Sequence, residues 1–291
     1  MKIAIGIATR GRPTILGEVL AELDRQARTP DRVLVCHVTP EDVGELPARF
    51  PGVTFLAQSP GGLTRQRNRL LDAVPDCDVM LFLDDDFLAG PEWLAVLEAV
   101  MTREPGCAVA TGTVIADGAK GPGITVEEGR ALLAADAPPA EALASVPHFN
   151  GYGCNMAVRL APVRALGLRF DERLPLYGWY EDIDFTRRLL PAGSILRLAG
   201  ARGVHLGVKQ GRVPGIRLGY SQVVNPIYLA LKGSFPWSHA LPSAGRHTLI
   251  NLLRSVAPEP EVDRWGRFRG NLLGLWDLLR GRVQPERITE L

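Results

Sequence analysis

The first half of the chain alternates short apolar runs with stretches of helical spacing. Lys2–Ala8 (KIAIGIA) is a continuous apolar run and predicts a strand buried on both faces. Pro13 opens a helical stretch to about Gln26, with Leu16, Leu20 and Leu23 on one face. Arg32–Val38 and Val53–Ala57 predict two further strands, and Leu63–Val74 a helix after the Gly61-Gly62 turn. Asp78–Leu83 (DVMLFL) is a fourth strand, ending in Asp84-Asp85-Asp86, and Cys107–Ile115 is a fifth, after a helix from Pro91 to Arg103. This order predicts an α/β fold with a mostly parallel sheet flanked by helices. Ligands of such sheets gather at the carboxyl ends of the strands. Thr9-Arg10, the Gly-rich turn and the Asp triplet all fall there.

The pattern then changes. Asp117–Pro147 is rich in Ala, Gly and Pro and reads as a loop with short helices. Asn150–Val158 predicts a strand and Glu181–Leu190 a helix. Ile216–Leu231, Gly245–Arg254 and Asp263–Leu279 predict a helical end to the chain. The expected organisation is a sheet domain over 1–212 and a helical extension over 213–291.

Charge sharpens the picture. The net charge of the 291 residues is only +1, yet Phe185–Pro258 holds no Asp or Glu and ten Lys and Arg. Such a segment suits an anionic partner, a diphosphate or an acidic membrane surface; solvated helix-end charges account for some of it. No nucleic-acid partner is expected. Four cysteines, none in a CxxC pair, argue against a zinc site. The chain enters at once into a strand, without a leader-like segment, and no apolar run approaches the roughly 18 residues of a membrane span. A cytoplasmic enzyme with reduced thiols is expected, with peripheral contact to the membrane left open.

The strongest chemical signal is LFLDDDFL, Leu81–Leu88. Three carboxylates at the end of a buried strand repel one another unless a cation is present. Hard divalent metals bind such oxygens and keep positions for phosphate; the plain alternative is an exposed acidic turn. In GWYEDIDF, Gly178–Phe185, Glu181 or Asp182 can act as a general base, and Trp179 and Tyr180 can stack on a sugar ring; helix-dipole stabilisation is the simpler account of the carboxylates. In VHLGVKQGR, His205 can ligate a metal, and Lys209 and Arg212 can hold phosphate oxygens. Arg65 and Arg67 lie near a helix N-terminus, where cations oppose the dipole and an anionic ligand offsets the cost; Arg69 reads as solvated. GYGCNMAVR, Gly151–Arg159, has glycines that permit close approach to a ligand, or only a tight entry into a strand.

In order and spacing these motifs resemble the inverting family 2 glycosyltransferases of the GT-A fold, over Lys2 to about Arg212. The resemblance implies nucleotide-side roles for Thr9, Arg10, Arg65, Arg67, Asn68, Asp84, Asp85, Lys209 and Arg212. Asp86 would ligate the metal (Mn2+ or Mg2+), with Asp84 and His205. Asn155, Trp179 and Tyr180 would lie on the acceptor side, Asp182 would be the base, and Glu181 would orient the acceptor or share that role. The donor would be a nucleotide-diphosphate sugar, and the acceptor a saccharide or lipid-linked saccharide of a bacterial surface polysaccharide or glycoconjugate. One departure stands out: where the family carries Asp-Asp-Gly-Ser, this chain has CHVTPEDV, with Glu41 and Asp42 out of register.

A nucleotidyltransferase is the alternative enzyme, but IATRGRP has no Lys and only one Gly where a triphosphate loop is Gly-rich with a Lys. A catalytically inactive nucleotide-sugar-binding scaffold is the non-enzyme alternative. In the tail, Trp265, Phe268, Leu272, Leu275, Trp276 and Leu279 recur at helical spacing beside arginines. That predicts either an interfacial helix on anionic lipid or a helix packing on the catalytic domain or on a second copy in a homo-oligomer.

Overall fold

The computed structural model describes residues 1–137, 139–209 and 214–291, the side chain of Lys120 excepted. They form two compact units. The first comprises Met1–Gly61, Arg65–Arg169 and Arg188–Gly211; the second Gly62–Thr64, Phe170–Arg187 and Arg212–Leu291. The helical unit is thus more than a C-terminal extension, because it takes in the Glu181–Asp184 motif as well.

The first unit is built on one sheet. Its strands are β1 (Ile3–Ala8), β2 (Arg32–His37), β3 (Val53–Ala57), β4 (Val79–Asp84), β5 (Phe87–Ala89), β6 (Cys107–Asp117), β7 (Ser145–Pro147), β8 (Asn155–Arg159) and β9 (Ser194–His205). The order is β3-β2-β1-β4-β8-β6-β9-β5, with β7 on β9. β3, β2, β1 and β4 run parallel; β8 enters antiparallel between β4 and β6, and β6 and β9 are again parallel. The helices associated with it are α1 (Pro13–Leu23), α2 (Leu46–Arg49), α3 (Leu63–Asp72), α4 (Trp93–Arg103), α5 (Val126–Ala135) and α6 (Leu160–Ala165). β1 is central, which is why Ile3, Ala4, Ile5 and Ile7 are all fully buried and its sequence does not alternate. The four cysteines are buried and free, and burial pushes the Cys36 and Cys107 thiols up to about 12 and about 11.

Two strands depart from the pattern in the sequence. β9 runs through Arg197, Gly200, Arg202 and Gly203, residues that dilute a strand signal. A Cβ at Gly203 would stand 2.2 Å from Phe87 Cζ, so the glycine is what lets β5 lie against β9. Asp117–Pro147 holds a short helix as expected, α5, opened by a Thr125–Glu128 capping box, and in addition the short strand β7.

In the second unit α7 (Glu181–Arg187) precedes α8 (Gly215–Lys232), α9 (Trp237–Arg254) and α10 (Arg264–Leu279). α9 begins eight residues earlier than its periodicity suggests, because the helix continues through Pro242. Buried Asn251 joins α9 to α8 and α10, donating to Gln222 and Asn271 at 2.9 Å each. Phe170 and Phe185 stack at 3.9 Å, both buried.

Candidate functional site

Strand register builds the acidic cluster. Ala8 pairs with Asp84 across β1 and β4, so the next residues, Thr9 and Asp85, fall side by side. Thr9 Oγ1 donates to Asp85 at 2.7 Å, and Arg12 Nη1 donates to the other oxygen of Asp85 at 2.8 Å. Asp85 is buried and taken up by the turn after β1. Burial pushes its carboxyl above the ordinary range, the Asp86 charge adds to this, and Arg12 opposes it. Asp84 and Asp86, two residues apart, instead join His205.

The same logic places His205. Asp117 pairs with His205 across β6 and β9, and Phe87 pairs with it across β5 and β9. His205 Nδ1 lies 2.9 Å from Asp117 Oδ1, which makes it the protonated nitrogen facing a carboxylate. Nε2 then lies 3.3 Å from Asp86 and 4.0 Å from Asp84. Ligand atoms of Asp84, Asp86 and His205 all fall within 4.8 Å of one another. Burial alone would depress the imidazole; hydrogen bonds to Asp117 and Asp86 outweigh it and raise it to about 10. In the other direction, His205 draws Asp117 down to about 2 against the effect of burial. An imidazole held protonated by surrounding carboxylates marks a site that calls for positive charge. Two carboxylate oxygens and an imidazole nitrogen, with a carboxylate behind the imidazole, form a donor set that can hold a divalent metal ion.

Neighbouring loops lock this arrangement. Val208 N–H donates to Asp86 at 2.8 Å; the chain reaches it through Gly207, whose φ of +66° suits glycine. Tyr152 donates to Asp117 at 3.1 Å, and Lys209 Nζ donates to the Gly118 carbonyl at 2.9 Å. On α3, buried Arg67 donates to Asp84 at 3.1 Å and to the Gly153 carbonyl at 2.7 Å. Asn68 is buried, Arg65 half-buried, and Arg69 exposed as its spacing suggests. Gln66 ties α3 to the strand ends, donating to Thr9 and Cys36 carbonyls at 2.9 and 2.7 Å. Arg10 is exposed. Asn155 is fully buried; its Oδ1 accepts from Thr111 Oγ1 and Gly112 N at 2.8 and 2.9 Å, linking β8 to β6. Arg212 lies outside the described residues.

Within the helical unit, Glu181 is buried and Asp182 half-buried at the start of α7, a position that the helix dipole favours for carboxylates. The backbone before them is strained: Leu176 and Tyr180 have φ of 59° and 73°. Each such residue costs on the order of 1–3 kcal/mol and is found chiefly at functional sites. Trp179 stacks on Tyr180 at 5.1 Å and meets His247 edge-on at 5.6 Å. Tyr180 and Ser243 share a hydrogen bond of 2.6 Å. Trp179 Nε1 is buried with no hydrogen-bond acceptor among the described residues.

Three residues at these sites escape sequence reasoning. Arg12 acts on the triplet from beyond Gly11, where φ is +69°. Asp117 closes β6, 88 residues before the histidine it orients. Asp42 accepts from Gly11, Val38 and Thr39 N–H at 2.7, 2.9 and 2.8 Å, so it fastens the β1 and β2 turns together. Its place in a Thr39–Asp42 capping box was the available signal.

No family model and no curated protein matches the sequence. Solved structures do. The chain is similar to S. aureus TarS, at 16% identity and a TM-score of 0.54 over 89% of this chain, spanning 44% of the longer TarS chain. TarS 1–349 matches at 15% identity and a TM-score of 0.54, over 97% of this chain and 92% of that one. TarS 1–349 in complex with UDP-GlcNAc matches at 14% identity and a TM-score of 0.53, over 97% and 93%. The fold is therefore a TarS-like GT-A fold.

Proposed function

We propose that the protein is a metal-dependent inverting glycosyltransferase that moves a sugar from a nucleotide-diphosphate donor to an acceptor hydroxyl. The observation that carries this is the Asp84–Asp86–His205 cluster at the carboxyl end of β4, backed by Asp117, on a GT-A fold. The fold's likeness to TarS solved with UDP and with UDP-GlcNAc supports a uridine-diphosphate sugar as the first donor to test. Asp84, Asp86 and His205 would hold a divalent ion, which supplies charge neutralisation for the departing diphosphate. Arg65, Arg67 and Lys209 add cationic donors for the same group. Asp182 accepts the proton from the attacking hydroxyl, and Glu181 orients the acceptor. The aromatic faces of Trp179 and Tyr180 suit a sugar ring, and the strained turn that presents them suits a binding role. A surface saccharide of a bacterial envelope is the acceptor class that the family resemblance favours.

The experiment is calorimetric titration with UDP, GDP, CDP and dTDP, each with and without Mn2+. One nucleotide should bind tightly only with metal, and Asp86→Ala should abolish that binding. If no nucleotide binds under either condition, the transferase reading falls and an inactive scaffold takes its place.

A further inference from the structure

The helical unit carries an apolar surface that the transfer reaction does not use. On α9, Trp237, Leu241, Leu249 and Leu253 are exposed along one side, and Val256 beyond the helix end is 88% exposed. On α10, Trp265, Leu272, Trp276 and Leu279 form a second exposed stripe, Leu279 at 82%. At 100° per residue these fall within one broad sector of each helix, with Arg246 at the margin of the first and Arg269 and Arg280 at the margin of the second. All three arginines are exposed, and Arg280 stacks on the Trp276 ring at 4.2 Å. α9 contains no Asp or Glu, and the single one in α10, Asp277, is buried. Within each helix, an apolar stripe with aromatic rings and arginines at its margin is the pattern of helices that lie in the headgroup region of an anionic bilayer; the acids of the joining segment include Glu259, which is paired with Arg254 and Arg264. A second copy meeting this face with its own like face would bring cation against cation. Among the described residues no helix is long and apolar enough to cross a membrane, so contact by this route lies on the surface.

We infer that the exposed faces of α9 and α10 dock the protein on an anionic lipid surface. The inference is independent of the donor chemistry. Its test is co-sedimentation of the full-length protein with phosphatidylcholine vesicles containing about one third phosphatidylglycerol, against pure phosphatidylcholine, at low and high salt. Binding is expected on the anionic vesicles only and should fall at high salt. Trp276→Glu combined with Leu279→Glu should reduce it to the level of the neutral vesicles. Arg269→Gln and Arg280→Gln should each weaken it roughly fivefold. Melting temperature should be unchanged in all of these, because the residues are exposed. Failure to bind anionic vesicles overturns the inference, as does binding that the double glutamate variant leaves intact. A concentration-dependent dimer in sedimentation velocity that the same variant dissolves, without vesicle binding, would assign the face to a second copy.

Discussion

His205 and Asp117 stand opposite each other in the paired ends of β9 and β6, 2.9 Å apart, and this contact turns Nε2 toward Asp86. The imidazole is oriented by the sheet itself rather than by a loop. Asp117→Asn keeps an acceptor for Nδ1 but removes the charge, and Asp117→Ala removes both. Loss of such a supporting carboxylate commonly weakens metal binding roughly 10- to 100-fold. The expected order of Mn2+ affinity is wild type, Asp117→Asn, Asp117→Ala, followed by electron paramagnetic resonance of free Mn2+. Equal affinities in all three would show that the pairing does not act on the metal ligands.

Arg12 and Asp85 form a largely buried ion pair, with side chains 18% and 7% exposed. Arg12→Met removes the cation that favours the ionised carboxyl against burial and the Asp86 charge, and should lower stability. Asp85→Asn in the Arg12→Met background should recover part of that loss, because the unpaired charge is then gone. Urea denaturation of both single variants and the double variant closes the cycle. Strict additivity would mean that the pair contributes no coupling to the turn after β1.

The sequence reveals most where one local property decides the structure. β1 and β4 are legible because central parallel strands are buried on both faces and read as unbroken apolar runs. Asp84–Asp86 stand out because charge directly follows such a run. What stays hidden depends on pairing between distant segments. β9 carries Gly200 and Gly203, which make sense only beside Ala142 and β5. Asp117 gains its meaning from a register across 88 residues. Asp184 reads as one more acid in EDID, yet it is fully buried and bound to Lys232 and Ser234 of a later segment.

That Lys232 contact makes the helical unit sensitive to acid. Lys232 Nζ donates to Asp171 at 2.6 Å and to Asp184 at 2.8 Å, and Tyr228 donates to Asp171 at 2.7 Å. Burial opposes ionisation of Asp171, but the bonds from Lys232 and Tyr228 outweigh it and hold its carboxyl below the usual value. A carboxyl depressed in the folded state stabilises above its unfolded pKa, near pH 4, and loses that stabilisation as pH falls through the folded value. Lys232→Met should therefore lower stability near neutral pH, where it takes the cationic partner from half-buried Asp171 and buried Asp184. The difference from wild type should narrow below about pH 4. Urea midpoints across that range give the answer, and a gap that stays constant would exclude the Asp171 contribution.

Gly203 tests whether the Asp84–Asp86–His205 cluster depends on how closely β5 approaches β9. In Gly203→Ala the new Cβ would sit 2.2 Å from Phe87 Cζ and 2.8 Å from the Leu88 carbonyl oxygen. Phe87 is fully buried, so its ring has little room to yield, and the carbonyl belongs to the paired strand itself. The strands must separate, at a cost of roughly 1–3 kcal/mol for overpacking. Phe87 is paired with His205 and directly follows Asp86, so separation moves Asp86 and His205 relative to each other. Gly203→Ala should lower the melting temperature and weaken Mn2+ binding together, although position 203 carries no ligand. Gly52→Ala, where a Cβ meets nothing within 4 Å, is the control and should change neither. A Gly203→Ala protein that melts early yet binds Mn2+ like wild type would separate the packing of β5 from the geometry of the cluster.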